Sequence, residues 1–316
     1  MRATDSGVRV VTHEACLGHE PFPGHPERPR RLAAALAGAR DAGAEPLAVA
    51  VDEEAALAAV ATVHHPGLAA RFRAACGQAP RTFDSDDNPV SAGSYRAAIA
   101  AVSACLAAVD GIASGRARRV FAAVRPPGHH ALHDRAMGFC FFNNAAITAE
   151  ALLARGIGPI AVVDFDVHHG NGTQEHFYAR RDVFYLSLHA FPGYPGTGGG
   201  DEIGTGAGVG FTRNLPLAVG SGDEVFREAF AVGVAEILAA MSPAAWVVSA
   251  GFDAHRDDPL GHMTMTDAGF ADFGRTLRGV SGEKPVVAML EGGYDLKALQ
   301  RSIFAFLAGL RGAAAS

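Results

Sequence analysis

Residues 162–173 read VVDFDVHHGNGT, and their types and spacing suit a divalent metal. Asp164, Asp166 and His168 follow an apolar run, Ala161-Val162-Val163, of the kind that fills a buried parallel strand. At i, i+2 and i+4 they share one face of an extended strand. Carboxylate oxygens and an imidazole nitrogen gathered beyond a strand end leave a metal one open position for water. The competing reading is a pair of turn aspartates at a capped strand end. Asp253, in GFDAHRDDPLG, is the best third ligand, against a competing role as a cap or turn residue. Asp257 and Asp258 beside it read as solvated turn or cap residues.

His129-His130 follows a rigid Pro-Pro-Gly turn. Beside a water on a metal, one imidazole can take a proton and the other can hold charge or protonate a leaving amine. Asp164 and Asn171 are available to set their tautomers. A second pair, His64-His65, reads as structural. Tyr294, after Glu291-Gly292-Gly293, is a candidate donor to a developing oxyanion, or else a packing residue. In GFCFFNN (138–144), Phe141 and Phe142 read as core. Phe139 beside Gly138 suits the wall of a narrow slot, and Asn143 or Asn144 suits a helix cap. Cys140 has no base of its own and is a weak nucleophile.

These residues need a frame that gathers them. β-rich runs recur at Val8–Thr12, Val120–Val124, Ile160–Phe165, Val183–Leu188, Trp246–Ser249 and Val286–Leu290. Ala-rich helical segments fall between them, at about 28–42, 53–62, 91–114, 143–155, 223–241, 266–280 and 295–311. Strands alternating with helices predict a parallel sheet covered on both faces. Several apolar runs end in His, Asp or Tyr, and in a parallel sheet those ends share one edge. The Gly-rich stretch 193–210 lacks phosphate-loop spacing and reads as a long surface loop.

The chain has 316 residues, 49 % hydrophobic and 19 % charged, with a net charge of −6. That balance argues against nonspecific nucleic-acid binding. Four widely spaced cysteines favour reduced thiols and a cytoplasmic protein. No signal-like apolar core and no long uninterrupted apolar run is found, so no membrane span is expected. No linker or composition shift divides the chain, and one catalytic domain over 1–316 is expected.

Taken together the strings resemble the zinc-dependent histone deacetylase superfamily, which includes acetoin-utilisation proteins and acetylpolyamine amidohydrolases. They are HPERPRRL (25–32), RPPGHHA (125–131), GFCFFNN, VVDFDVHHGNGT, SLH (187–189), YPGTG (194–198), GFDAHRDDPLG (251–261) and LEGGYDL (290–296). Asn171 and DAHRDDPLG are nearer the class II branch. His262-Met263-Thr264 departs from the commoner Gly-Leu-Asn.

The resemblance implies an arginase-like three-layer α/β fold with a central eight-stranded parallel sheet. It implies one zinc per chain on Asp166, His168 and Asp253. His130 becomes the base, oriented by Asn171, and His129 the acid, oriented by Asp164; Tyr294 polarises the carbonyl. Gly138, Phe139 and Tyr194 line an acyl-lysine tunnel with Asp87 at its rim. Leu260 occupies a position where polyamine-selective relatives carry an acidic gatekeeper. A structural potassium ion is implied at Asp164, Ser187 and Leu188 with the backbone of Asp166 and His168. The expected activity is removal of a short acyl group from acylated lysine or a similar primary amine, with homo-oligomerisation permitted. The rivals are an acetylpolyamine deacetylase, a two-metal ureohydrolase on the related fold, and a non-catalytic acetyl-lysine binder.

Overall fold

The computed structural model describes residues 7–312. Its frame is an eight-stranded sheet, all parallel, with helices on both faces. In chain order the strands are β1 (Val8–Thr12), β2 (Pro46–Ala48), β3 (Arg81–Phe83), β4 (Ser85–Val90), β5 (Arg119–Ala122), β6 (Ile160–Asp164), β7 (Val183–Ala190), β8 (Thr212–Leu217), β9 (Ala245–Ala250) and β10 (Val286–Leu290). The main sheet runs β2-β1-β5-β10-β9-β6-β7-β8, and β3 pairs with β4 in a separate antiparallel ribbon.

The central strands β5, β10, β9 and β6 are buried at every position, which is why they read as continuous apolar runs rather than alternating ones. Each fully buried Val or Leu there contributes about 1.5–3 kcal/mol. The edge strands β2 and β8 carry Pro46 and Pro216, and proline is confined to such edges because it cannot donate to a ladder.

The helices are α1 (Arg30–Asp41), α2 (Glu53–Val60), α3 (Pro66–Cys76), α4 (Ser94–Ala113), α5 (Asn144–Ala154), α6 (Asn171–Phe177), α7 (Asp223–Ala240), α8 (Asp267–Ser281) and α9 (Leu296–Arg311). α1, α9, α8 and α7 form one contiguous layer, and α2, α4 and α5 another. The 20-residue α4 is apolar and long enough to cross a bilayer, yet most of it is buried, packed against α2 and α5.

The seven expected helices and six expected strands are present, with ends shifted by a few residues. α3, α6, β2, β8 and the β3–β4 ribbon escape the periodicity argument. The strands among them are short or broken by proline, and α6 is only seven residues long. The stretch 193–210 is a loop with one 3-10 turn at Gly206–Gly208.

Two caps sit beside the chemistry-bearing strings. Asn143 accepts the Ala146 N–H to start α5, and Asp295 accepts the Lys297 and Ala298 N–H groups to start α9. Each string is thus pinned between a buried strand and a capped helix.

Candidate active site

Four adjacent strands, β5, β10, β9 and β6, each deliver one part of the site at their carboxyl ends. β5 runs into His129-His130, β10 into Tyr294, β9 into Asp253, and β6 into Asp166 and His168.

The ligand spacing needs a correction. β6 ends at Asp164, so Asp166 and His168 lie on a bend and not along one strand face. The carboxylates themselves make the bend. Asp164 Oδ1 accepts the Asp166 N–H at 3.1 Å, and Asp166 Oδ1 accepts the His168 N–H at 2.9 Å. Donor atoms of Asp166, His168 and Asp253 all fall within 4.8 Å of one another. His168 Nδ1 lies 3.1 Å from Asp166 Oδ1 and 3.2 Å from Asp253 Oδ2.

Asp253 Oδ1 accepts the Val167 N–H at 2.9 Å, whereas the buried Oδ2 has no aligned hydrogen bond. The His168 contact is close but misdirected for one. A buried carboxylate oxygen without a donor is costly. A Cβ on Gly251 would strike Asp166, and one on Gly292 would strike both Asp166 and Asp253. This cradle of two carboxylates and an imidazole fits a divalent cation. A second cluster, His129, Cys140 and Glu291, fits one poorly. Glu291 already accepts the Gly128 N–H at 2.6 Å and the His129 N–H at 3.2 Å. Cys140 donates its S–H to Gly138 O, and burial pushes its thiol well up, which removes it as a nucleophile.

The two imidazoles are set apart by their partners. His129 Nδ1 lies 3.0 Å from Asp164 Oδ2, and His130 Nδ1 lies 2.8 Å from Asn171 Oδ1. Burial opposes charge on both. For His129 the carboxylates of Asp164 and then Asp166 overcome it and raise the ring to about 10. For His130, burial and then the charge of His129 hold the ring well below its ordinary value. The two neighbouring rings are thus pushed in opposite directions by their surroundings.

Asp87, His130, Gly138, Phe139, His168, Tyr194, Leu260 and Tyr294 line one cavity of about 270 Å³. Gly138 and Phe139 both take left-handed backbone, at φ 60° and 65°; for Phe139 that is a strained conformation held at the wall of the site. A Cβ on Gly138 would strike the His130 ring. The Phe139 ring meets the Tyr294 ring edge-on at 5.9 Å, and Tyr194 stands edge-on to His130 at 5.0 Å. Asp87 Oδ2 accepts from Tyr194 Oη at 2.8 Å and from the Gly138 N–H at 3.1 Å, so the rim ties three segments together.

Several buried partners carried no role in the sequence reading. Arg31 stands over the Tyr294 ring at 4.8 Å and donates to Gly293 O and Glu291 O. Glu27 joins Arg31, Arg125 and His19. Burial pushes its carboxyl up, but Arg125 and then His19 outweigh that and hold it at about 2. The i, i+4 spacing of Glu27 and Arg31 was the available signal. Asp258 is a second correction: it is buried, not solvated, and accepts the Tyr294 N–H at 2.6 Å. Asp257 does sit at the surface, paired with Arg301.

Ser187 stands opposite Asp164 in the β6–β7 register, with Leu188 next to it. Ser187 Oγ lies 2.9 Å from His189 Nδ1. The unusual His262-Met263-Thr264 segment docks on the 218–222 turn: His262 O accepts the Gly220 N–H, Thr264 donates to Gly220 O, and Met263 is buried.

With this geometry in place, comparison with known proteins is informative. The histone deacetylase domain matches residues 25–310. Histone deacetylase 15 of Arabidopsis thaliana is 40% identical over 320 residues, covering 97% of this chain and 57% of that protein. A probable deacetylase of Archaeoglobus fulgidus is 36% identical over 294 residues, 91% of this chain and 81% of that one. The crystal structure of acetylpolyamine aminohydrolase from Burkholderia pseudomallei superposes with a TM-score of 0.85 at 32% identity, over 96% of this chain and 98% of the other. The eight-stranded parallel sheet is therefore the arginase/deacetylase-like α/β fold, and the chemistry is that of hydrolases acting on acetylated amides. The chain belongs to the histone deacetylase family.

Proposed function

We propose that the protein is a zinc-dependent amidohydrolase that removes an acetyl or other short acyl group from acylated lysine or a similar primary amine. One observation carries the reading. His130 lines a cavity with His168 and Tyr294, and His129, whose Nδ1 partner is a carboxylate rather than an amide, stands directly behind it with ring centroids 4.0 Å apart. Asp166, His168 and Asp253 would hold one zinc, which when bound supplies Lewis acidity to an amide carbonyl and to water.

The chain's own groups do the rest. Asn171 accepts Nδ1–H of His130, which leaves its Nε2 free to take a proton from the attacking water. The water oxygen bonds to the amide carbon. The Tyr294 hydroxyl donates to the carbonyl oxygen as negative charge develops there. His129, held protonated by Asp164, gives a proton to the amine nitrogen as the carbon–nitrogen bond breaks. The products are the short carboxylic acid and the free amine.

A potassium ion at Asp164, Ser187, Leu188 and the backbone of Asp166 and His168 is part of the proposal, supported by the register of Asp164 with Ser187. The apolar Leu260 at the lip favours the methylene stem of an acyl-lysine over a substrate with a second ammonium group. The test is a deacylation screen of the zinc-loaded protein on acetyl-lysine peptides, acetylpolyamines and small acyl amides. Acid released from any of them supports the hydrolase. Binding of acetyl-lysine peptide without turnover on any substrate would replace it with a non-catalytic binder.

A further inference from the structure

Asp258 is a buried carboxylate on the loop between β9 and α8, outside the ligand set and not lining the cavity. Both of its oxygens are used. Oδ2 accepts the Tyr294 N–H at 2.6 Å and the Asp295 N–H at 3.3 Å. Oδ1 accepts the Leu260 N–H at 3.0 Å. One side chain therefore joins the loop that carries the phenol to the loop that forms the cavity lip.

The phenol loop needs such an anchor. Tyr294 follows Gly292 and Gly293, two residues with no side chain to restrict the backbone, and Gly293 sits at φ 115°, a conformation L side chains rarely adopt. Gly292 is held by Asp166 and Gly293 by Arg31, but the main chain of Tyr294 itself is held by Asp258. A hydroxyl that must meet a developing oxyanion tolerates little displacement; about 1 Å of error costs about a hundredfold in rate.

We propose that Asp258 is a positioning residue: its carboxylate locks the main chain of Tyr294 to the lip at Leu260 and so sets how far the Tyr294 hydroxyl reaches toward the scissile carbonyl. This rests on the role given to Tyr294 above. Asp258 touches no reacting atom; it acts through Tyr294.

The test is a double-mutant cycle on the zinc-loaded full chain, with Asp258→Ala, Tyr294→Phe and the pair. Asp258→Ala should lower kcat by about tenfold to a hundredfold with KM within about threefold, at unchanged zinc content. In the Tyr294→Phe background the same change should cost less than about twofold, because the hydroxyl it positions is gone. Amide exchange at Tyr294 should speed up in Asp258→Ala while the amides of α4 keep their protection. Equal factors in both backgrounds, or loss of zinc, overturn the proposal. If Asp258→Ala does not fold, Asp258→Asn keeps the shape and one acceptor oxygen and serves in the same cycle, with a smaller loss and the same non-additivity. If Tyr294→Phe turns over normally, the catalytic reading of Tyr294 fails, and exchange at the Tyr294 amide alone then decides whether the tether exists.

Discussion

Three pairs of adjacent histidines lie in this chain, and the first two, His64-His65 and His129-His130, are held in opposite ways. His64 donates from Nδ1 to Leu132 O at 2.8 Å and accepts the Asn143 N–H on Nε2 at 2.8 Å. His65 accepts the Gly67 N–H and caps α3. The partners of that pair are main-chain groups, and both nitrogens of His64 are spent. In the second pair each ring spends Nδ1 on a side chain, Asp164 or Asn171, and His130 lines the cavity. Burial lowers His64 to about 4, while the carboxylates beside His129 raise it to about 10. Burial alone does not mark a catalytic histidine. The chemistry of the partner and the nitrogen left over do.

The strongest way to break this contrast is to remove the proposed zinc ligands beside the second pair. Replacing Asp166, His168 or Asp253 by Ala should cut turnover by about a thousandfold or more and lower zinc content in parallel, since three protein ligands leave no redundancy. Zinc per chain is read by elemental analysis. An Asp253→Ala protein that keeps zinc and turnover would dissolve the site. Next in size is Tyr294→Phe, which should lower kcat by about a hundredfold with little change in KM. A raised KM at constant kcat would make Tyr294 a binding residue.

Leu260→Glu should move the ratio of kcat/KM toward acetylpolyamines by about tenfold, measured against an acetyl-lysine peptide. A wild-type preference for acetylpolyamines would assign the gate elsewhere, for instance to the 193–210 loop.

The smallest effect on turnover belongs to the first pair. His64→Gln should leave kcat of the folded protein within about twofold, because the hydrogen-bond partners of His64, Leu132 and Asn143, are not among the residues lining the cavity, while lowering stability through lost hydrogen bonds. Its pH signature has a definite sign. Between 6.5 and about 4 the unfolded chain binds a proton that folded His64 refuses. Stability from this group therefore falls as pH drops through that window, by about 1.4 kcal/mol per pH unit. Thermal unfolding at several pH values should show a shallower acid decline in the variant. An identical decline would mean that His64 titrates normally in the fold.

The candidate site residues were legible because their types are unusual at the ends of apolar runs. Eight predicted site residues meet in one cavity although they come from distant segments. The residues that hold them were harder to read. Asp258 in Asp-Asp-Pro reads like any solvated turn, and only the fold shows that three N–H groups converge on it. Glu291 and Arg31 sit in quoted strings, but their partners lie 163 and 262 positions away, at Gly128 and Gly293. The bend at 165–170 was missed for a related reason. The i, i+2, i+4 spacing also suits a series of side-chain-bridged turns, and carboxylates at those positions can make the turns themselves.

The sheet order also bears on how the molecule is made. β10, the last strand in chain order, lies between β5 and β9 at the middle of the sheet. Without it, the native pairings available to the other strands make two partial sheets, β2-β1-β5 and β9-β6-β7-β8, with open edges where their neighbour belongs. Those inner edges lack the prolines that blunt the outer ones. Joining them demands long-range pairings, which close slowly and leave apolar edges open to aggregation meanwhile. The same insertion brings Tyr294 between the histidines that follow β5 and the aspartate that follows β9, so the candidate site is completed only when the final central strand takes its place.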